Sequence, residues 1–599
     1  MSSKLKYRAD IDGLRAIAVG TVFLFHLNEN WLPGGFIGVD VFFVISGFLI
    51  TTILYTDIEA GQLSFAKFYQ RRISRLFPMI LIVSVATLIA ASIIYSAQDF
   101  ASAGINFVAA VLSVANIKFL LQGNYFELSP DAQPFLHFWS LSVEEQFYLV
   151  FPPLLWAMHR WARKYLLTLI AAMTIVSFIA CVLLTFRSPS AAFYLLPTRA
   201  WELGVGGLIG ILMVRNQLSV PSALARWLPL LGVVLILVTS LLLHESMGFP
   251  GYMAALPVVG TAAILIGCLN GPYVGYNVLA AAPMVALGKL SYSLYLWHWP
   301  VFSMTDYALF TQSDELRYAI KIGLSFGLTL LTYYVIENPT RRFFNRASKQ
   351  RFAYAGFAII AMSCVPVGLQ IRADNYVNAE LRSVSDGGLY FEAGEGRPTI
   401  VLMGDSHGSM HGRMIRDICW QLDCNLHVLS VAGEDALPPI EGHSPPELWS
   451  ASIKAIKTIQ PDVLIIANAW ERKLRRDRTR VERTLSEVRA DADRIILINQ
   501  PPMLPNTVTR ESVRQGAKPP FFEPDFLSES RNSANALLLE FGSETVEVVD
   551  IASAFQGTEN DVLFFDQQGR LLYHDETHLS KHGTDRIRGY VKDAIEAAL

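Results

Sequence analysis

Through its first 371 positions the chain alternates long apolar runs with short polar breaks. The runs are about 17 to 25 residues long, which is the length needed to cross the hydrocarbon core of a bilayer. They fall near 11–28, 36–56, 77–97, 140–158, 165–186, 197–214, 227–244, 251–270, 286–310, 319–337 and 352–371, which predicts eleven spans. Residues 103–121 are apolar enough for one more, and the expectation here is a surface-lying or re-entrant helix in a long external loop. From residue 372 the long runs stop. Apolar stretches of strand length then alternate with polar segments of helical length, the pattern of an α/β domain. The predicted organisation is a membrane domain over 1–345, a linking span and short polar join over 346–397, and a soluble domain over 398–599.

Composition agrees with that division. Of 599 residues, 52% are hydrophobic and only 17% charged, against about 25% charged in an ordinary soluble chain. A net charge of −3 argues against a nucleic-acid binder. The first run is expected to stay in the membrane, because Asp12, Arg15 and His26 interrupt it and no small-residue cleavage site follows before Trp31. Basic clusters set the expected orientation. Lys4, Lys6 and Arg8, then Lys67, Arg71, Arg72 and Arg75, then Arg160, Arg163 and Lys164, then Arg341, Arg342, Arg346, Lys349 and Arg351 all fall on one side if the amino terminus is cytoplasmic. The soluble domain then lies outside the cytoplasm. Five Cys without a C-x-x-C, and scattered His, predict no metal site. Cys419 and Cys424 lie in the external part, where an oxidising compartment permits a disulfide.

Candidate chemistry in the soluble part begins at Thr399-Ile-Val-Leu-Met-Gly404-Asp405-Ser406-His407, an apolar strand ending in Gly-Asp-Ser before a helical pattern. A serine there is exposed at a helix amino terminus, which favours developing negative charge. Near the far end stands Asp575-Glu-Thr-His578. That spacing lets the carboxylate hold one imidazole nitrogen while the other faces the serine. Gly433 and Asn468 follow two further predicted strands, and a backbone N–H and a side-chain amide suit an oxyanion, beside the N–H of Ser406 itself. Together these blocks resemble the SGNH hydrolase and acyltransferase family over roughly 398–599, with Ala467-Asn468-Ala469 in place of the usual Gly-x-Asn. The resemblance implies a three-layer, flavodoxin-like α/β fold.

Ionisable groups inside spans point to function. Arg15 and His26 are eleven residues apart, three helical turns, so they share a face of the first span. Glu144 and Glu145 open the fourth span at the level expected for His26. Neighbours on a helix point about 100° apart, so one of them, Glu145, is expected to face the interior and orient the His26 ring. Tyr292, Tyr295 and His298 are weaker pointers. Asp12-Gly-Leu-Arg15, His26, Gly38-Val-Asp40-Val-Phe-Phe-Val-Ile-Ser46-Gly47, Arg72-x-x-Arg75, Trp139-Ser-Leu-Ser-Val-Glu-Glu145 and Ser291-Tyr-Ser-Leu-Tyr-Leu-Trp-His298 closely resemble the membrane acyltransferase-3 family over about 8–345. The resemblance implies ten spans, an eleventh linking span and an external SGNH domain. It also implies acetyl-CoA as cytoplasmic donor near Arg15, Arg72 and Arg75, and His26 as catalytic histidine.

The expected activity is O-acetylation of an extracytoplasmic glycan, lipopolysaccharide O-antigen or a related surface polysaccharide first, peptidoglycan second. The expected location is a bacterial inner membrane, with lipid and the glycan acceptor as partners. A transporter carrying an external carbohydrate esterase is the rival class. It leaves either the Ser-Asp-His set or the spans without a common purpose.

Overall fold

The computed structural model describes residues 7–122, 130–244, 247–269, 274, 276–344, 350–377, 379–475, 477–505, 507–508, 512–513 and 517–599. Lys4, Lys6, Arg346 and Lys349 lie outside the described residues, as does the side chain of Arg351. The chain divides into two compact units, one of residues 1–95 and 99–372, the other of 96–98 and 373–599.

The first unit is helical, and a helix coincides with each of the eleven apolar runs. Among the described residues, six helical stretches are long and apolar enough to cross a membrane: Gly35–Glu59, Phe65–Ile94, Phe138–Arg187, Ser222–Leu242, Asp314–Phe344 and Tyr354–Asn375. The third joins two helices end to end, Phe138–Ala162 and Leu166–Arg187. Ala255–Gly267 is apolar but shorter. Ala9–Leu27, Leu196–Val214 and Ala282–Ala308 have spanning length but more polar character. These three carry Arg15 and His26, Arg199 and Glu202, and Tyr295 and His298, polar groups that lower their apolarity. The run 103–121 is not one helix. It breaks between Ala97–Val111 and Ala115–Leu120, where Ser113 takes a left-handed φ of 56°.

Small residues let the functional helices meet closely, as lipid-embedded packing requires. A Cβ on Gly288 would lie 1.8 Å from the Asp12 carbonyl oxygen, so Ala282–Ala308 seats directly on Ala9–Leu27. Gly47 and Gly206 do the same for Gly38–Glu59 and Leu196–Val214, each 2.0 Å by that measure from the facing backbone. The cations expected between two spans are helical instead. Phe65–Ile94 starts before Lys67, which carries Arg72 and Arg75 into the bundle wall.

The second unit holds a six-stranded sheet, β1 (Leu389–Phe391), β2 (Thr399–Gly404), β3 (Asn425–Ser430), β4 (Val463–Ala467), β5 (Arg494–Ile498) and β6 (Val546–Val549), in the order β1-β3-β2-β4-β5-β6. Only β1 is antiparallel. The five parallel strands follow the flavodoxin-like order, whose switch point flanks the first of them. β2 and β4 are buried along almost their whole length, as expected for parallel strands covered on both faces. Val401, Met403, Leu464 and Ile466 pack with Leu448, Ile456 and Leu485 on one face. Alternation turns Ile400 and Leu402 to the other, where the helices Ser406–Leu422 and Lys581–Ala598 meet. The polar join before residue 398 is not a bare linker, since it supplies the helix Leu381–Ser385 and strand β1.

Candidate functional site

Ser406 is the first residue of the helix Ser406–Leu422, and Asp405 caps it by accepting the His407 N–H at 2.9 Å. β2 and β4 pair so that Gly404 stands opposite Ala467. The residues that follow them, Ser406 and Asn468, therefore meet at the switch point. Asn468 is 1% exposed, and its Oδ1 accepts the Asp405 N–H at 3.1 Å. Its Nδ2 has no hydrogen-bond partner among the described residues, which leaves a buried donor beside the serine turn. Asp405 also accepts the Ala469 N–H at 3.1 Å, tying the first and third blocks together. That clamp was absent from the sequence expectation.

Asp575 and His578 are placed as the spacing predicts. Nδ1 of His578 is 2.8 Å from Asp575 Oδ2, and the carboxylate also accepts the N–H groups of Thr577 (2.9 Å) and His578 (2.8 Å). With Nδ1 committed, Nε2 is the basic nitrogen, and it has no partner among the described residues. Burial opposes charging of His578, but the Asp575 hydrogen bond and charge outweigh it, so its pKa lies above the ordinary value. For Asp575, burial is overcome by the His578 hydrogen bond and charge, which hold the carboxyl well below its usual range. Ser406, Asp575 and His578 line one cavity. Ser406 also lines a second, of about 250 Å³, with Gly433 and Lys473. Gly433 takes a left-handed φ of 84°, open to glycine at no steric cost. His407 is buried with its pKa lowered by burial to about 4, so it stays neutral, its ring 5.2 Å from that of His578. Cys419 and Cys424 are buried free thiols.

In the first unit, a cavity of about 310 Å³ is lined by Arg15, Arg72, Arg75, Glu144, Glu145 and Tyr295 among others. Arg72 stacks over the Tyr148 ring at 4.2 Å, and Arg15 lies 3.6 Å from Asp12. Nε of Arg75 is buried without a hydrogen-bond partner among the described residues. Three guanidiniums in one pocket, one with an unspent donor, fit a phosphate-bearing substrate. Glu144 hydrogen-bonds Ser46 and Tyr148. Both carboxylates thus reach the same cavity, although one alone was expected to.

The expectation of Glu145 beside His26 is corrected. The partner of His26 is His298, with Nδ1 of His26 3.1 Å from Nε2 of His298 and the rings stacked. Nδ1 of His298 donates to the Tyr295 carbonyl at 2.7 Å, so its Nε2 accepts from His26 Nδ1–H. The basic lone pair of His26 is then on Nε2. The reason for the error is axial. Glu145 lies seven residues into the helix Phe138–Ala162, about 10 Å along it at 1.5 Å per residue. At the level of His26 stands His137 instead, just before that helix, and the two line one small cavity. Also missed was a buried cluster in which Arg199 pairs with Asp40 (3.0 Å) and Glu202 (3.2 Å), all without exposed surface. Two charges within the run 197–214 were the signal that could have found it.

Comparison with known proteins finds a separate match for each part of the chain. Residues 8–338 match the acyltransferase domain of the acyltransferase-3 family, and residues 375–593 match the SGNH domain that occurs fused to such domains. The peptidoglycan O-acetyltransferase OatA of Listeria monocytogenes is 32% identical over 56% of this chain, and the match spans 56% of its length. BcsY of Komagataeibacter xylinus is 33% identical over 62% of this chain and 92% of its own. The chain therefore spans little more than half of OatA. Among solved structures, the periplasmic domain of a lipopolysaccharide acetyltransferase of Salmonella ser. Paratyphi A is 16% identical over 37% of this chain and 90% of its own, with a TM-score of 0.29. The chain belongs to the acyltransferase-3 family, in the form that carries a fused SGNH domain.

Proposed function

We propose that this chain is an O-acetyltransferase that moves an acetyl group from cytoplasmic acetyl-CoA to hydroxyls of an extracytoplasmic glycan, in a bacterial inner membrane with ten spans, a linking eleventh and an external SGNH domain. The observation that carries this reading is the three-arginine cavity, whose wall residue Tyr295 also borders the cavity of His26. Arg15, Arg72 and Arg75 hold the donor phosphates, and His26 acts on the thioester. Ser406 takes the acyl group as an ester, with His578 as base and Asp575 orienting it. The N–H groups of Ser406 and Gly433 and the Asn468 amide stabilise the oxyanion.

Lipopolysaccharide O-antigen or a related surface polysaccharide is the acceptor proposed first. Peptidoglycan is the second reading, favoured by the name of the Listeria relative. The test is to incubate membranes containing the full chain with labelled acetyl-CoA and follow label into each glycan fraction. Replacing Arg72 and Arg75 together by Ala raises KM for acetyl-CoA at least about tenfold, as expected for lost charge-assisted phosphate contacts. No label in any glycan overturns the reading. Asn468→Asp keeps the acceptor for the Asp405 N–H but removes the amide donor. It is expected to lower glycan acetylation about 10²-fold, the size of one lost oxyanion donor.

A further inference from the structure

His26 does not line the three-arginine cavity. It lines a smaller one, of about 20 Å³, with Val22, Asp40, His137, Arg199 and Tyr295. Tyr295 and Val39 border both. The Tyr295 hydroxyl is held by Ser140 at 2.6 Å. A space of about 20 Å³ takes one oxygen atom with its hydrogen, since a water needs about 10–15 Å³ by the same kind of measure.

The walls are polar in an unusual way. Arg199 Nη1 has no hydrogen-bond partner among the described residues, although its side chain is fully buried, and the equally buried Asp40 carboxylate is held by Arg199 and Glu202. His137, at 2% exposure, bonds the Leu296 backbone through one ring nitrogen and leaves the other facing the space. Buried polar groups are nearly always satisfied, and here a donor and an imidazole border a space that a single oxygen fills.

We propose that this small cavity is the acceptor-oxygen site, which receives one alcohol hydroxyl and presents it to the acyl carbon at the Tyr295 border. The inference rests on the thioester reading of the membrane unit. It assigns His26 as a base rather than an acyl carrier. Nε2 of His26 takes the hydroxyl proton, the oxygen bonds to the acyl carbon, and the carbon–sulfur bond breaks. The sulfur leaves with the proton from His26 as the free thiol of coenzyme A, so no further reactant is needed. An alcohol fits by count, with one donor for His26 and a lone pair for the free Arg199 N–H. A carboxylate or phosphate is too large for about 20 Å³. A sugar hydroxyl and a serine hydroxyl share this chemistry.

The test uses the full chain in its native membrane, with labelled acetyl-CoA, reading equilibrium binding and release of free coenzyme A separately. Val22→Leu adds one methylene to the cavity wall and leaves every charge in place. His137→Phe removes both ring nitrogens at similar volume. Each is expected to bind acetyl-CoA within twofold of the parent and to release coenzyme A at least 30-fold more slowly. Parent-like binding with parent-like release overturns the inference. If both variants also lose binding, Val22→Ala decides. It enlarges the space for water and is expected to shift the label at least fivefold from glycan towards free acetate; an unchanged partition overturns the inference. Ser406→Ala separates the sources, since coenzyme A release stops if the hydroxyl is that of Ser406 and continues if it is a sugar's. A parent that neither binds nor consumes acetyl-CoA brings down the thioester reading and this inference with it.

Discussion

His26→Ala is expected to lower acetyl-CoA-dependent acylation at least about 10³-fold, within the range for a lost general base or nucleophile. Its ring is fixed by a chain of two hydrogen bonds, from His26 Nδ1 to His298 Nε2 and from His298 Nδ1 to the Tyr295 carbonyl. That chain selects the tautomer, so its loss costs activity without removing the base. His298→Gln reaches the place of Nε2 with an amide oxygen, whereas His298→Asn reaches only the place of Nδ1. The Gln variant is therefore expected to keep at least tenfold more activity than the Asn variant at similar KM for acetyl-CoA. Equal loss in both means that His298 serves packing alone. Rates in membranes at saturating acetyl-CoA, with protein level matched by immunoblot, check both expectations.

Ser406→Ala is expected to lower glycan O-acetylation at least about 10³-fold, because members of such a triad act as a unit. The pH profile carries a second mark. The base is neutral His578, and its pKa lies above the ordinary value of about 6.5. Transfer therefore rises with pH and levels off only above that raised pKa. Asp575→Asn removes the hydrogen bond and the charge that raise it. The rising limb then moves to lower pH while the plateau falls by orders of magnitude. An unmoved limb shows that another group limits the rate.

The Asp575–His578 pairing was legible in sequence because its geometry is local. Asp575 and His578 are three residues apart, and Ser406 follows its strand directly, so a strand end and a short loop fix the geometry. The clamp from Asp405 to Ala469 was not legible, since it depends on β2 and β4 being neighbours. The membrane half was legible by residue type but less so by partner. Arg15 and His26 stood out as ionisable groups in an apolar run, and Arg72 and Arg75 as part of a basic break between two runs. That His298 rather than Glu145 meets His26 follows from Gly288 seating on the Asp12 backbone, a contact between segments far apart in the chain. Glu145 was misplaced because the start of its helix sets the axial level, and Phe138 opens it two turns earlier.

In the proposed relay the two centres act in series, His26 first and Ser406 second. Membranes with the full chain would be given labelled acetyl-CoA, quenched in acid, and the peptide containing Ser406 examined by mass spectrometry. The parent is expected to carry an acetyl ester on Ser406, and His26→Ala to carry none. An ester that forms equally without His26, or a Ser406→Ala chain that acetylates glycan at the parent rate, would contradict it.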